Sequence, residues 1–102
     1  MRQFDVFRNP SPDARKVAPF LVMLSSHHLR HIEEIVVAPL VNDAAKTLGG
    51  LEIAVEIEGE TLTLVISELF SLTPTGLRSA VDNLGYLEDD IRRAVDRLFT
   101  GF

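Results

Sequence analysis

Histidines, paired carboxylates and serines are the residues of this sequence with reactive side chains at suggestive spacings. His27, His28 and His31 fall in the run His27-His28-Leu29-Arg30-His31. On a helix, the four-residue spacing of His27 and His31 would set both imidazoles on one face, as a metal site needs. The run lies between two strand-like segments, however, where that spacing has no such meaning. The chain has no cysteine, and Glu33 and Glu34 are the only carboxylates nearby. A solvated connection explains these histidines better than a metal, so no metal and no cofactor are expected.

The carboxylate pairs fare no better as a general acid and base. Adjacent side chains on a helix point about 100° apart, so Asp89 and Asp90, like Glu33 and Glu34, rarely meet on one substrate atom. Ser25 and Ser26 precede His27 and His28 directly, but sequence neighbours seldom reach serine–histidine hydrogen-bonding geometry, and nothing resembles a nucleophile elbow. Gly49-Gly50 is too short for a phosphate-binding loop. The reactive residue types therefore predict no enzymatic reaction.

Composition points the same way. At 102 residues the chain suits a single domain spanning 1–102, and its 46% hydrophobic and 25% charged residues are those of a folded protein. The absence of cysteine excludes a disulfide scaffold, a zinc ribbon and thiol catalysis. A net charge of −5 opposes binding nucleic acid through a broad basic face. That charge is uneven. Residues 1–51 hold six basic and five acidic side chains, and residues 52–102 hold four and ten. The longest apolar run, Val17 to Leu24, falls far short of the ~20 residues that span a bilayer. Asp5 and Arg8 interrupt any apolar stretch of a signal peptide, so a cytoplasmic location with no membrane partner is expected.

The elements that must carry any site follow from periodicity. Phe4 and Val6 alternate with Gln3 and Asp5 as an opening strand, and Asn9-Pro10-Ser11-Pro12-Asp13 breaks it. Val17 to Leu24 reads as a strand covered on both faces, and Ile32 to Val41 as a second, with Pro39 marking an edge or an ending. The hairpin at 52–67 is the clearest local pattern. Ile53, Val55 and Ile57 face away from Glu52, Glu56 and Glu58, a tight turn falls at Glu58-Gly59, and Leu62, Leu64 and Ile66 return opposite a solvated Thr61, Thr63 and Ser67. A helical turn fits Asn42 to Gly50. Leu84, Leu87, Ile91, Val95 and Leu98 then form one helical stripe, with Glu88–Arg92 and Asp89–Arg93 as flanking ion pairs. The sum is an α+β domain: an antiparallel sheet covered by one long C-terminal helix that ends near Phe99.

The ending is the unusual part. Phe99-Thr100-Gly101-Phe102 sets two aromatics beyond an amphipathic helix, where chains are usually polar and frayed. Burying each ring would contribute about 1.5–3 kcal/mol. Phe99 is expected in the core or a dimer seam, and Phe102, past Gly101, against core, dimer or partner. An apolar tip without catalytic groups fits a protein that acts by binding another protein.

These residues resemble the CcdB family of toxins from type II toxin–antitoxin modules, over essentially the whole chain. The opening Gln3-Phe4-Asp5-Val6-Phe7 is similar to the family's Gln-Phe, a variable residue, Val and an aromatic. Val37-Ala38-Pro39-Leu40 matches Val-x-Pro-Leu, and Gly59-Glu60 falls at the family's Gly-acidic turn. The tail is the most specific: Asp90-Ile91, Ala94-Val95, Leu98-Phe99 and Gly101 stand where the family has Asp-Ile, Ala-Ile, Met-Phe and a final Trp-Gly-Ile.

The resemblance implies a small SH3-like barrel with a C-terminal helix, similar also to MazF toxins, assembled as a homodimer. It implies a non-enzymatic poison that binds the GyrA subunit of DNA gyrase through Thr100, Gly101 and Phe102, with Leu98 and Phe99 packing the tip or dimer. It further implies a role in plasmid maintenance, neutralisation by a CcdA-type antitoxin, and binding of operator DNA by the toxin–antitoxin complex to repress transcription. Thr100 departs from the pattern, standing where the family has its anchoring Trp, and loss of such an anchor costs roughly 2–4 kcal/mol of binding. Gyrase poisoning is accordingly expected to be weakened. Two alternatives remain: a relative that binds antitoxin and regulates transcription without poisoning, and a MazF-type endoribonuclease using Arg15, Lys16 and Thr47.

Overall fold

A computed structural model of the protein describes residues 1–26, 33–42 and 50–101. His27, His28, His31, Thr47, Phe102 and all but the two ends of the helical turn expected from Asn42 to Gly50 lie outside the described residues. In chain order the strands are β1 (Asp5–Arg8), β2 (Phe20–Met23), β3 (Ile35–Val41), β4 (Glu52–Ile57), β5 (Glu60–Val65), β6 (Phe70–Leu72) and β7 (Asp82–Asn83), followed by helix α1 (Glu88–Thr100). All pairings are antiparallel, in the order β4-β5-β3-β2-β1-β7, with β6 also on β3. The sheet curls into a half-barrel whose concave side receives α1.

Pro39 shows how the sequence sets this topology. Val36 N donates to Ser25 Oγ and Val36 O accepts from Leu24 N, so the even-numbered residues of β3 turn their polar groups towards β2. Pro39 therefore faces the other edge. There β6 pairs as far as Val37 and β5 begins at Leu40, so the residue lacking an N–H sits in the gap between two partner strands. The proline marks a change of neighbour inside a central strand.

The strands β1, β2 and β3 are covered on both faces, as an apolar run demands. On the concave side Val6, Phe20, Val22, Ala38 and Leu40 join Val55, Ile57, Leu62 and Leu64 from the hairpin and Ile91 and Ala94 from α1. On the convex side Phe7, Leu21, Met23, Ile35 and Val37 form a second cluster beneath Leu72 and Leu77. The β2 strand is shorter than the apolar run. Pro19 supplies no ladder donor, and Val17, after the 3-10 turn Ala14–Lys16, is 65% exposed.

The hairpin forms in the expected register, with Val55 opposite Leu62 and Ile57 opposite Glu60. Both turn residues have positive φ, 51° at Glu58 and 82° at Gly59, the requirement of a type I′ turn. Thr63 differs from the expected solvated face. It is buried because β5 is flanked there by Ala54 of β4 and Val41 of β3. Ile66 stays buried but belongs to a 3-10 turn, Ile66–Glu68, rather than a strand. Leu84 and Leu87 precede α1, the second within the 3-10 turn Gly85–Leu87, and Leu84 is fully buried. Arg92 pairs with Glu88 at 2.7 Å as expected, whereas Arg93 reaches Asp90 at 3.3 Å instead of Asp89; both geometries are neighbours on a helix.

Candidate functional site

Helix α1 holds its far end by its own backbone. Acidic Glu88, Asp89 and Asp90 occupy the first turn and Arg97 the last, in keeping with the helix dipole. Ile91 and Ala94 are buried against the sheet, and Val95 and Leu98 are half-buried beside them. Gly101 then closes the helix with φ +80° and donates its N–H to Arg97 O at 2.9 Å, a left-handed C-cap that favours glycine. Thr100 Oγ1 donates to Asp96 O, so its hydroxyl is engaged one turn back. Phe99 is 70% exposed. Of the two places expected for Phe99, core or dimer seam, the core is corrected: it stands at the flank of the buried stripe, one turn past the half-buried Val95 and beyond Ala94, the last buried residue of the helix, with its ring in solvent.

The other end of α1 is pinned by long-range hydrogen bonds. Asn83 Nδ2 donates to Gln3 O at 3.1 Å and to Asp5 Oδ1 at 2.9 Å, while its Oδ1 accepts from Gly85 N at 2.7 Å. The nearly buried Asp5 carboxylate also accepts from Arg2 N at 2.8 Å. Phe4 is caught inside this junction. It is buried with φ +72°, its N–H donates to Met23 O at 2.7 Å, and its carbonyl accepts from Leu84 N at 2.9 Å. A bulky side chain at positive φ costs on the order of 1–3 kcal/mol and persists only where surroundings over-determine it. Between this junction and α1 lies a depression of about 180 Å3, with Phe4, Leu24, Ile91 and Val95 beneath a rim of Gln3, Arg92 and Asp96. Phe99 follows Val95 by one helical turn, so the exposed ring and the depression share one side of the helix.

Among the described residues, those with reactive side chains are not gathered. Ser25 Oγ accepts from Val36 N at 3.1 Å and so terminates a strand pairing. Glu33 and Glu34 are exposed, and Asp90 is engaged by Arg93. Arg15 Nε donates to Asn9 O at 2.8 Å, and Lys16 O accepts from Asn42 Nδ2. No group of three metal-ligating side chains occurs among the described residues. Sequence reasoning took Phe4 as a simple strand residue and missed the junction; the positive φ leaves no trace in composition, and the Asp5–Asn83 partnership spans 78 positions.

The resemblance to the CcdB family is borne out by comparison with known families. The family described as CcdB protein matches residues 3–101, which includes the junction, the hairpin and α1. The chain belongs to the CcdB family. The match includes Leu98-Phe99-Thr100-Gly101, the end of α1 and its cap. Comparison with curated proteins found no match. Solved structures with this fold include a Mycobacterium tuberculosis toxin, MazF-mt6, at TM-score 0.71 and 16% identity, covering 96% of each chain. An endoribonuclease in complex with its cognate antitoxin, from Mycobacterial species, superposes at 0.75 with 13% identity over 97% of this chain and 94% of that one. An "Mtb toxin" crystal structure gives 0.69 and 15% over 78% and 91%. At these identities the likeness is one of fold. Among the described residues this CcdB-family chain has a curled antiparallel sheet and one C-terminal α-helix, and it shares its fold with MazF-like toxins, as the resemblance implied.

Proposed function

We propose that this CcdB-family protein is a toxin of a type II toxin–antitoxin module that acts by binding rather than catalysis, with DNA gyrase as its target. In this reading the domain at 1–102 forms a cytoplasmic homodimer and presents Leu98, Phe99, Thr100, Gly101 and Phe102 to the GyrA subunit. A CcdA-type antitoxin neutralises it, and the two together bind operator DNA and repress their operon. The observation that carries this reading is the 70% exposure of Phe99 at the end of a helix whose other face is locked into the core. An exposed aromatic on a formed helix has no backbone left to order on docking, and burying its ring is favourable.

Thr100 sets the strength of that interaction. It offers a methyl and a hydroxyl already bonded to Asp96 O where the family has an indole. Gyrase poisoning is therefore weaker than for a tip ending in Trp-Gly-Ile. The test titrates the wild type and a Thr100→Trp variant against gyrase and supercoiled DNA, scoring stabilised double-strand breaks. Breaks with both proteins, at lower concentration for the variant, support the reading. Silence from both removes gyrase as the target and leaves a relative that only binds antitoxin and regulates transcription.

The fold shared with an endoribonuclease favours one other reading, a MazF-type ribonuclease using Arg15, Lys16 and Thr47. Cleavage of a defined RNA by the purified protein, abolished by Arg15→Ala, is the result that would replace the binding mechanism with it.

A further inference from the structure

Three arginines converge on one concavity of this acidic protein. A cleft of about 300 Å3 lies between the end of β1 and two 3-10 turns, Ala14–Lys16 and Pro74–Gly76, and is lined by Arg8, Asn9, Pro10, Arg15, Gly76 and Arg78. The lining includes three guanidinium groups and no carboxylate, although the chain as a whole has 15 acidic against 10 basic side chains. The walls are built firmly. Asn9 is buried, its Nδ2 donates to Ala18 O at 2.9 Å, and its Oδ1 accepts from Ser11 N at 3.0 Å. Its carbonyl accepts from Arg15 Nε at 2.8 Å, which fixes that side chain by its inner nitrogen while the two terminal nitrogens keep no partner among the described residues. The Arg78 guanidinium forms no hydrogen bond or ion pair among the described residues.

The third arginine shows what kind of group the cleft accepts. Arg8 Nη2 donates to both carboxylate oxygens of Glu58, at 3.1 and 3.0 Å, while its guanidinium lies 5.5 Å from the centroid of the Phe20 ring. A carboxylate is thus already seated on the rim, supplied by the hairpin turn. Guanidinium groups match carboxylates in shape and donor geometry, and two of the three here have donors to spare.

We propose that this cleft docks an acidic segment of a protein partner, whose carboxylates pair with Arg15 and Arg78. A nucleic acid would fit less well: it brings about one charge per 1.7 Å of duplex and would run from the cleft across a surface of net charge −5. A short peptide places a few carboxylates in the cleft and no charge beyond it. The proposal does not depend on the helix tip or on gyrase, so each can fail without the other.

The test measures fluorescence anisotropy of a labelled peptide of alternating Asp and Gly titrated with the intact protein. An Asn-Gly peptide and a single-stranded RNA of equal length serve as comparisons. The Asp-Gly peptide is expected to bind, the Asn-Gly peptide to stay free, and binding to weaken as salt shortens the Debye length. Arg78→Gln, which removes no contact among the described residues, is expected to weaken binding about fivefold. Arg15→Gln with Arg78→Gln reduces it to background, and Glu58→Gln, by freeing Arg8, tightens it. Unchanged thermal unfolding of Arg78→Gln separates loss of binding from loss of fold. Equal binding of the two peptides, or peptide affinity unchanged in the double variant, overturns the proposal. Tighter binding of the RNA, lost in the same double variant, also overturns it and assigns the cleft to nucleic acid.

Discussion

The two ends of α1 are held by opposite means. At its start, Asn83 bonds to Gln3 and Asp5, 80 and 78 positions away, and to the nearby Gly85, around a buried Phe4. At its finish, Thr100 and Gly101 bond, among the described residues, to the preceding helical turn, and Phe99 stands in water. Residues at the first end have their donors and acceptors satisfied within the chain, so substitutions there act on stability. Those at the second end leave apolar surface unclaimed, so substitutions there act on whatever docks. On the proposed function, the separation lets one short helix serve as both a keystone and a probe.

The comparison can be broken most severely from the buried face that joins the two ends. Ile91→Ala empties a fully buried site beneath the junction, and denaturant unfolding should register a loss of about 2–5 kcal/mol. Asn83→Ala leaves the Asp5 carboxylate and Gln3 carbonyl short of a donor and Gly85 N–H without its acceptor. Each orphaned group costs about 1–3 kcal/mol, and Asn83→Asp should not restore the stability, because a carboxylate cannot donate to Asp5. At the other end Gly101→Ala meets no neighbouring atom and bears only the left-handed backbone penalty. A lower melting temperature equivalent to about 1–2 kcal/mol is expected. Phe99→Ser sharpens the contrast. Calorimetry should find its stability within about 0.5 kcal/mol of wild type, whereas gyrase-dependent DNA breakage should fall at least as far as it does for any substitution at the junction that still folds.

How much of this was written in the sequence depends on range. Alternation at 52–67 gave the hairpin and the place of its turn at Glu58-Gly59, because a two-residue turn is a local matter. The stripe Ile91, Val95, Leu98 gave α1 for the same reason, with its end at Thr100 one residue past the expected Phe99. Pro39 announced an edge or an ending, yet it marks a change of neighbour within β3, which depends on where two other strands stop and start. The short strands β6 and β7 had too few residues to show a period. The tip residues were legible as an apolar ending, but the exposure of Phe99 depends on which helix face the sheet occupies. The arginine cleft was illegible, since Arg8, Arg15 and Arg78 come together only once the turn at Pro74–Gly76 lies beside Pro10.

The bonds between Gln3–Asp5 and Asn83–Gly85 also have a temporal meaning. Strand β1 meets its first neighbour, β2, 12 to 16 positions along the chain, from Arg8↔Phe20 to Val6↔Val22, but its second, β7, pairs Asp5 with Asn83, 78 positions on. At ribosomal speeds of ~5–20 residues per second, that edge waits roughly 4–16 s for its partner. Throughout that interval Asp5 lacks the amide that will share its burial and Phe4 has no reason to adopt positive φ. The helix therefore cannot be seated on a finished sheet until the polypeptide is nearly complete, so a truncated product would carry an open strand edge and no working tip.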